Sequence, residues 1–335
     1  MEDNIAIIGS GSWATALAKI VLQNRMTIGW WVRKQSNIDE MQITGKNPHY
    51  LTSMRFDPSR VDFSTDLNAI AAKYNTLIFA VPSPYVAGTL ANLTADVTAK
   101  TWVIATKGMI PPAEGTEGKY EMVPDYLHEH FNVPYSHLSI VTGPCHAEEI
   151  AMERLSYLTI ASESEETAET VAELLAGDFV HTCTSKDVLG LEYSSVMKNI
   201  YAVAAGMCQA LHYGDNFQAV LVSNATKEIK AFTTAASTEM HHVSESGYLG
   251  DLLVTTYSQF SRNRQFGQMI GLGYSVRAAQ LEMGMIAEGY FGTKALHEAN
   301  KSLGVSLPIA DAMYEILYEN GDVEKVITEL THKIN

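Results

Sequence analysis

The sequence has 335 residues, 46% of them hydrophobic, and a formal net charge of −15. That length and apolar content predict two domains with real cores and exclude disordered, collagen-like and disulfide-scaffold classes. The acidic balance argues against nucleic acid or an anionic membrane as partner, since both reward a basic surface, and leaves room only for a local basic pocket that holds a small anion.

In chain order, short apolar runs at 4–9, 27–32, 76–81, 101–106, 138–143, 157–162 and 179–184 read as strands. Runs apolar on both faces with helices between them predict a mainly parallel sheet. Helical composition and period mark 12–23 and 164–177, the second with acids in its first turn, as the helix dipole favours. From about Val188 the strand signals stop, and helical patterns cover 188–212, 216–241, 250–258, 265–270, 275–283, 290–302 and 308–319. The change of period predicts a boundary between domains at 1–187 and 188–335. Substrates usually bind in clefts between domains. The start of the chain, "MEDNIAIIGSG", has no basic segment leading into a long apolar one, so no signal peptide is expected. Cys145, Cys183 and Cys208 form no C-x-x-C pair, as expected of reduced thiols in the cytoplasm. No membrane insertion is expected either.

"IAIIGSGSWATALA" is the strongest local motif. A strand ends at Gly9, Gly11 follows, and a helix opens at Ser12 and Trp13. Glycines there let backbone N–H groups approach a pyrophosphate at the helix N-terminus, and Ala14 is small enough for the third position. Strand before and helix after give the motif the context that a bare G-x-G-x-x-A lacks. An acid about 20 residues on would hold a ribose 2′-hydroxyl. Here Arg33 and Lys34 stand in that region, and two cations favour a 2′-phosphate. NADP(H) is therefore the preferred cofactor, with NAD(H) also accommodated.

The run "LEYSSVMKNIYAVAAGMCQAL" poses a separate problem. Leu189, Val196, Ile200, Val203, Met207 and Leu211 share one helical face. Ser194, Ala202 and Ala205 make a small-residue face with Lys198 in its middle, the one charge between Glu192 and Asp215. Such a lysine either snorkels to solvent, sits in a structural ion pair, or does chemistry.

Several stretches occur together in order: "GSGSWATALA", "NPHYL", "AVPS", "ATKGM", "TGPCHAEEIA", "MKNIYAVAAG", "GDN", "LGDLLVT", "SRNRQFG" and "AEGY". This set resembles the bacterial-type NAD(P)-dependent glycerol-3-phosphate dehydrogenases over almost the whole chain. The resemblance implies an α/β N-terminal Rossmann-like doubly wound sheet followed by an all-α C-terminal domain. It implies interconversion of dihydroxyacetone phosphate and sn-glycerol 3-phosphate, a phospholipid precursor, and a homodimer as the family-level expectation.

The resemblance also implies roles. Lys198 is the proton donor and acceptor, Lys107 touches cofactor and substrate, and Asp251 is the acid beside the catalytic lysine. Gly143, Cys145, Thr255, Ser261, Arg262 and Asn263 fall on substrate positions, the last three in the phosphate-binding run. Gly9, Gly11, Ser12, Trp13, Arg33, Lys34, Lys107, Ala147, Arg262, Ile286 and Glu288 fall on cofactor positions, and no metal is implied. A lysine, with a free pKa of about 10.4, suits proton transfer to a ketone oxygen when dry surroundings and a second cation pull it toward neutrality; Asp251 would oppose them. Arginine can bind phosphate oxygens in pairs, which suits "SRNR" to a phosphoryl group.

The chain departs from the family's usual pattern at Cys145 and His146, at Gln218, Asn224 and Ala225, and at Glu245 and Tyr248. Two rivals compete with the dehydrogenase reading. β-Hydroxyacid and 6-phosphogluconate types place a catalytic Lys and Asn four residues apart, whereas Lys198 and Asn199 are adjacent. A cofactor-sensing protein that has lost catalysis is disfavoured by intact Lys198 and Asp251.

Overall fold

The structure, a computed structural model, describes residues 4–113 and 118–335. The chain folds into two compact units: Met1–Thr106 with Met122–Val188, and Lys107–Glu121 with Leu189–Asn335. A boundary drawn at 187/188 therefore misses an excursion. The segment after the fifth strand leaves the sheet and joins the helical unit, carrying Lys107 with it.

Among the described residues, the first unit is built on eight strands: β1 (Ile5–Ile8), β2 (Ile28–Trp31), β3 (Val61–Ser64), β4 (Thr76–Phe79), β5 (Thr101–Ile104), β6 (Leu138–Thr142), β7 (Ser156–Ala161) and β8 (Val180–Ser185). They lie in the order β3-β2-β1-β4-β5-β6-β7-β8. All neighbours run parallel except β6 and β7. Its helices are α1 (Ser12–Asn24), α2 (Gln35–Thr44), α3 (Leu67–Lys73), α4 (Val86–Leu90), α5 (Val123–Phe131), α6 (Ala147–Ala151) and α7 (Glu165–Leu175). Ile5, Ala6, Ile7 and Ile8 are all buried, so β1 is covered on both faces and needs no polar alternation. Leu17, Ile20 and Val21 of α1 join Ile7, Trp30, Leu158 and Leu175 in one core. The strand order turns back at β1, which pairs with β2 on one side and β4 on the other. In open α/β sheets, ligands bind at the carboxyl ends of strands where the order reverses.

The second unit is helical: α8 (Val188–Ala210), α9 (Asp215–Ala236), α10 (Asp251–Tyr257), α11 (Arg262–Gly271), α12 (Val276–Met283), α13 (Glu288–Leu303), α14 (Pro308–Tyr318) and α15 (Val323–Lys333). α8 is its central helix, buried on all sides from Ser194 to Cys208. Two glycines explain how its neighbours come so close. A Cβ on Gly206 would stand 2.0 Å from the Arg264 carbonyl oxygen, and one on Gly267 2.0 Å from that of Val203. α8 and α11 thus cross backbone against backbone, which only glycine permits. Among the described residues, no helix is long and apolar enough to cross a membrane.

Candidate active site

The glycine turn lies where β1 ends and α1 begins. Gly9 has φ +124°, and a Cβ there would meet the Ala80 carbonyl oxygen at 2.6 Å. Any side chain would therefore push β1 and the end of β4 apart. Gly11 is the N-cap of α1. The space beside its α-carbon is open, with no atom within 4 Å of a Cβ built there. The first-turn N–H groups of a helix have no partner inside it and carry its positive dipole end. No acidic side chain stands in the first turn of α1. Room, donors and sign all fit a pyrophosphate, so the residues present fit a dinucleotide.

Asn47, in the "NPHYL" stretch, carries no role that its motif alone could suggest, yet it braces this turn. Its amide donates to the Ser10 carbonyl at 3.0 Å and to Thr15 Oγ1 at 2.8 Å. Thr15 Oγ1 in turn donates to the Gly11 carbonyl at 2.9 Å. A lone Asn in a loop gives no sequence signal beyond its place in the motif. Arg33 and Lys34 follow the end of β2, the strand next to β1, and both are exposed. Ser12 is buried and Trp13 partly so. Gly143, Cys145 and Ala147 lie in the turn from β6 into α6, where the Cys145 thiol donates to the Gly143 carbonyl at 3.1 Å. A backbone carbonyl thus occupies the thiol.

The helical unit brings the charged residues together. Lys198 is 4% exposed and Asp251 2% exposed. The Lys198 ammonium contacts Asp251 Oδ1 directly. The Lys107 ammonium lies 3.6 Å from Asp251 Oδ2, with its side chain 18% exposed. Lys198 therefore does not snorkel. One carboxylate is shared by two ammoniums, so these three groups together sum to one formal positive charge. Positive charge fixed in place at a mostly buried site suits a developing oxyanion, because burial strengthens the attraction and nothing has to reorganise.

Local structure explains where Asp251 points. A single π-helical turn, Ser246–Gly250, runs straight into α10, so Asp251 is its first residue. Tyr248, a departure from the family pattern, is buried in this turn with its hydroxyl 3.4 Å from His241 Nδ1. Thr255 sits one turn on, where its hydroxyl donates to the Asp251 carbonyl at 2.6 Å. α11 begins three residues earlier than its periodicity predicts because Ser261 caps it, accepting the Arg264 N–H at 3.3 Å. Arg262 is thus the first helical residue, at the positive end of the dipole, and Asn263 is buried behind it. Ile286 and Glu288 flank the start of α13, both partly exposed. Of the other departures, Asn224 donates to the Asn335 carbonyl at 2.7 Å, and Gln218 Nε2 is buried with no hydrogen-bond partner among the described residues.

The sequence marks Asn199 only by its place directly after Lys198. Its amide joins α8 to α11 and to Lys107, through contacts with Asn263 at 2.8 Å and with the Lys107 carbonyl at 3.3 Å. The signal was a buried-looking Asn directly after the lysine, which pattern alone cannot give a partner.

Comparison with known proteins adds identity to this geometry. Two family models match: NAD-dependent glycerol-3-phosphate dehydrogenase N-terminus at residues 4–168, and the C-terminus of the same at residues 187–328. A glycerol-3-phosphate dehydrogenase [NAD(P)+] of Levilactobacillus brevis is 31% identical over 99% of this chain and 98% of its own. That of Enterococcus faecalis is 31% identical over 98% of this chain and 96% of its own. Among solved structures, the glycerol-3-phosphate dehydrogenase of Coxiella burnetii superposes with TM-score 0.89 at 26% identity, covering 98% of this chain and 99% of that one. By profile, by sequence and by fold, the chain belongs to the NAD(P)-dependent glycerol-3-phosphate dehydrogenase family.

Proposed function

We infer that this protein is an NAD(P)-dependent oxidoreductase that interconverts dihydroxyacetone phosphate and sn-glycerol 3-phosphate, supplying the latter for phospholipid synthesis. The observation that carries the reading is the grouping of buried Lys198 and Asp251 with partly buried Lys107 in a chain of this family. When bound, the reduced nicotinamide supplies a hydride to the substrate carbonyl carbon. Lys198 donates a proton to the carbonyl oxygen as negative charge forms there and recovers one from solvent. Lys107 adds a second positive charge for that oxygen, and Asp251 holds both ammoniums in place. Arg262, with the Ser261 region at the N-terminus of α11, pairs the phosphoryl dianion. Gly143, Cys145 and Thr255 complete the substrate positions of the proposal, and Ala147, Ile286 and Glu288 those of the cofactor.

Arg33 and Lys34, exposed beside the glycine turn, support NADPH as the preferred form. None of the three cysteines is joined in a disulfide, in keeping with the cytoplasm as the proposed compartment. A homodimer is proposed from the family alone.

The test is reduction of dihydroxyacetone phosphate by NADPH and NADH, measured side by side in wild type and Lys198→Ala, with 2-oxo acids as controls. Lys198→Ala is expected to lose turnover by about 10²- to 10⁴-fold, the usual worth of a positioned acid. NADPH binding, followed by fluorescence, should survive. Undiminished NADPH oxidation in the variant would remove the assigned role, and turnover of 2-oxo acids in preference would overturn the substrate.

A further inference from the structure

The close approach of helices in the second unit gathers polar groups from α8, α11 and α13 around one buried amide. Asn199 uses all its hydrogen-bonding capacity but one lone pair: Nδ2 donates to the Ser195 carbonyl at 3.0 Å and to the Lys107 carbonyl at 3.3 Å, while Oδ1 accepts from Asn263 Nδ2 at 2.8 Å. Asn263 Oδ1 accepts the Gly289 N–H at 2.8 Å. Both amides are buried. Their orientation follows from these partners. Turning Asn199 over would set its oxygen against two carbonyl oxygens, and turning Asn263 over would set its NH2 against the Gly289 N–H. The chain of donors therefore has one direction. It starts at an N–H in the first turn of α13, which no helical carbonyl can satisfy, and ends on the backbone of Lys107.

We propose that Asn199 is a positioning residue for Lys107: paired with Asn263, it clamps the Lys107 backbone and so fixes where that ammonium stands relative to Lys198. The proposal rests on the role given to Lys107 in the reaction above. Two of the contacts that hold Lys107 are made at its carbonyl by Asn199 and at its ammonium by Asp251. The first is made next to Lys198 in sequence, so one turn of α8 carries both the proton donor and the group that locates the second cation. Lys107 stands three residues beyond the end of β5, outside the strand's regular pairing, so its place depends on contacts of this kind. The pairing also redefines Asn263. Its oxygen and one N–H are committed, so it can offer a phosphate oxygen only its second N–H, and a phosphate held there would pull on the same chain that locates Lys107.

Coupling between the two residues tests this. Asn199→Ala is expected to lower kcat about thirtyfold in the wild-type background and less than about twofold in Lys107→Met, since residues that act through one another fail to add by amounts of this size. The KM for NADPH should hardly move. Equal losses in both backgrounds would mean a general structural role and would overturn the proposal. Asn199→Ser, which disturbs packing less, gives the same comparison should the alanine variant not fold. An independent reading comes from the full-length protein with 13C-methylated lysines, the Lys107 resonance being assigned by its absence in Lys107→Met. That resonance is expected to shift in Asn199→Ser, and an unmoved one would overturn the proposal whether or not turnover is measured. Absence of turnover in the wild type would instead sink the activity reading alone.

Discussion

Arg33 and Lys34 are exposed at the end of β2, where a carboxylate would serve a ribose hydroxyl better. A hydrogen bond to a charged group is worth about 1.5–3 kcal/mol, so Arg33→Ala is expected to raise the KM for NADPH by about tenfold or more. The KM for NADH, which offers no 2′-phosphate, should change far less. Initial rates with each cofactor measure both, and equal rises would remove the 2′-phosphate argument. Arg33 and Lys198 stood out in the sequence because each breaks a pattern, one at a strand end and one inside an apolar helix. Asp251 did not. It lies 53 residues from Lys198, and in the sequence only the motif "LGDLLVT" links the two. The bracing roles of Asn47 and Asn199 are not legible for a related reason: an amide has no charge to look out of place, and its value lies entirely in partners that the chain brings from elsewhere.

At the scale of elements, the crossing of α8 and α11 makes the sharpest claim. Gly267→Ala would place a methyl 2.0 Å from the Val203 carbonyl oxygen, and backbone cannot swing aside as a side chain can. Overpacking of this kind costs about 3 kcal/mol or more. Gly88→Ala is the control, because Gly88 is exposed in α4 with no atom within 4 Å of the added Cβ. It should gain about 0.4–1 kcal/mol by restricting the unfolded chain. Urea unfolding of the two variants should therefore move in opposite directions, and a tolerated Gly267→Ala would contradict the crossing. Strands buried on both faces were easy to read, since "IAII" and "TWVI" can do little else. β3 was missed because "VDFS" lies at the sheet edge, half-buried, with Asp62 in its middle. α2 was missed because "QSNIDEMQIT" buries only Ile38 and Met41. α15, outside the helical patterns given above, has legible signals: Asp322 caps it, and Val326, Ile327 and Leu330 repeat at helical spacing. The departure of the chain after β5 leaves no mark in the pattern; its two ends pair with each other through the Ile110 and Glu121 backbones, which no periodicity announces.

Over the whole molecule, a chain of net charge −15 that binds anions must concentrate its few cations, and it also has to tolerate carboxylates in its interior. Glu228 is the clearest case. It is buried on α9 and takes the N–H groups of Ile309 at 2.7 Å and Ala310 at 3.3 Å, at the start of α14. The buried Tyr201 hydroxyl donates to it at 3.1 Å. Burial pushes its pKa up to about 7, against the lowering effect of those three donors, and Asp311 nearby adds to the rise. The folded state thus keeps a proton that the unfolded chain releases near 4.5. Between those values the native state binds more protons, so its stability falls as pH rises. The stabilisation is full below about 4.5 and is lost once pH passes 7, a change of about 3 kcal/mol at 1.36 kcal/mol per unit. Carboxylates held below their usual range, such as Asp57, Asp62 and Asp96, act under about pH 4 and with the opposite sign, so they do not blur this window. Asp311, raised by burial, contributes in the same sense, and a substitution is needed to separate the two. Glu228→Gln keeps an acceptor for Ile309 and cannot ionise. Its urea midpoint should be flat between about pH 5 and 8 apart from the Asp311 share, while the wild-type midpoint declines. Parallel curves for the two proteins would show that Glu228 is ionised throughout, its charge carried by the N-terminus of α14.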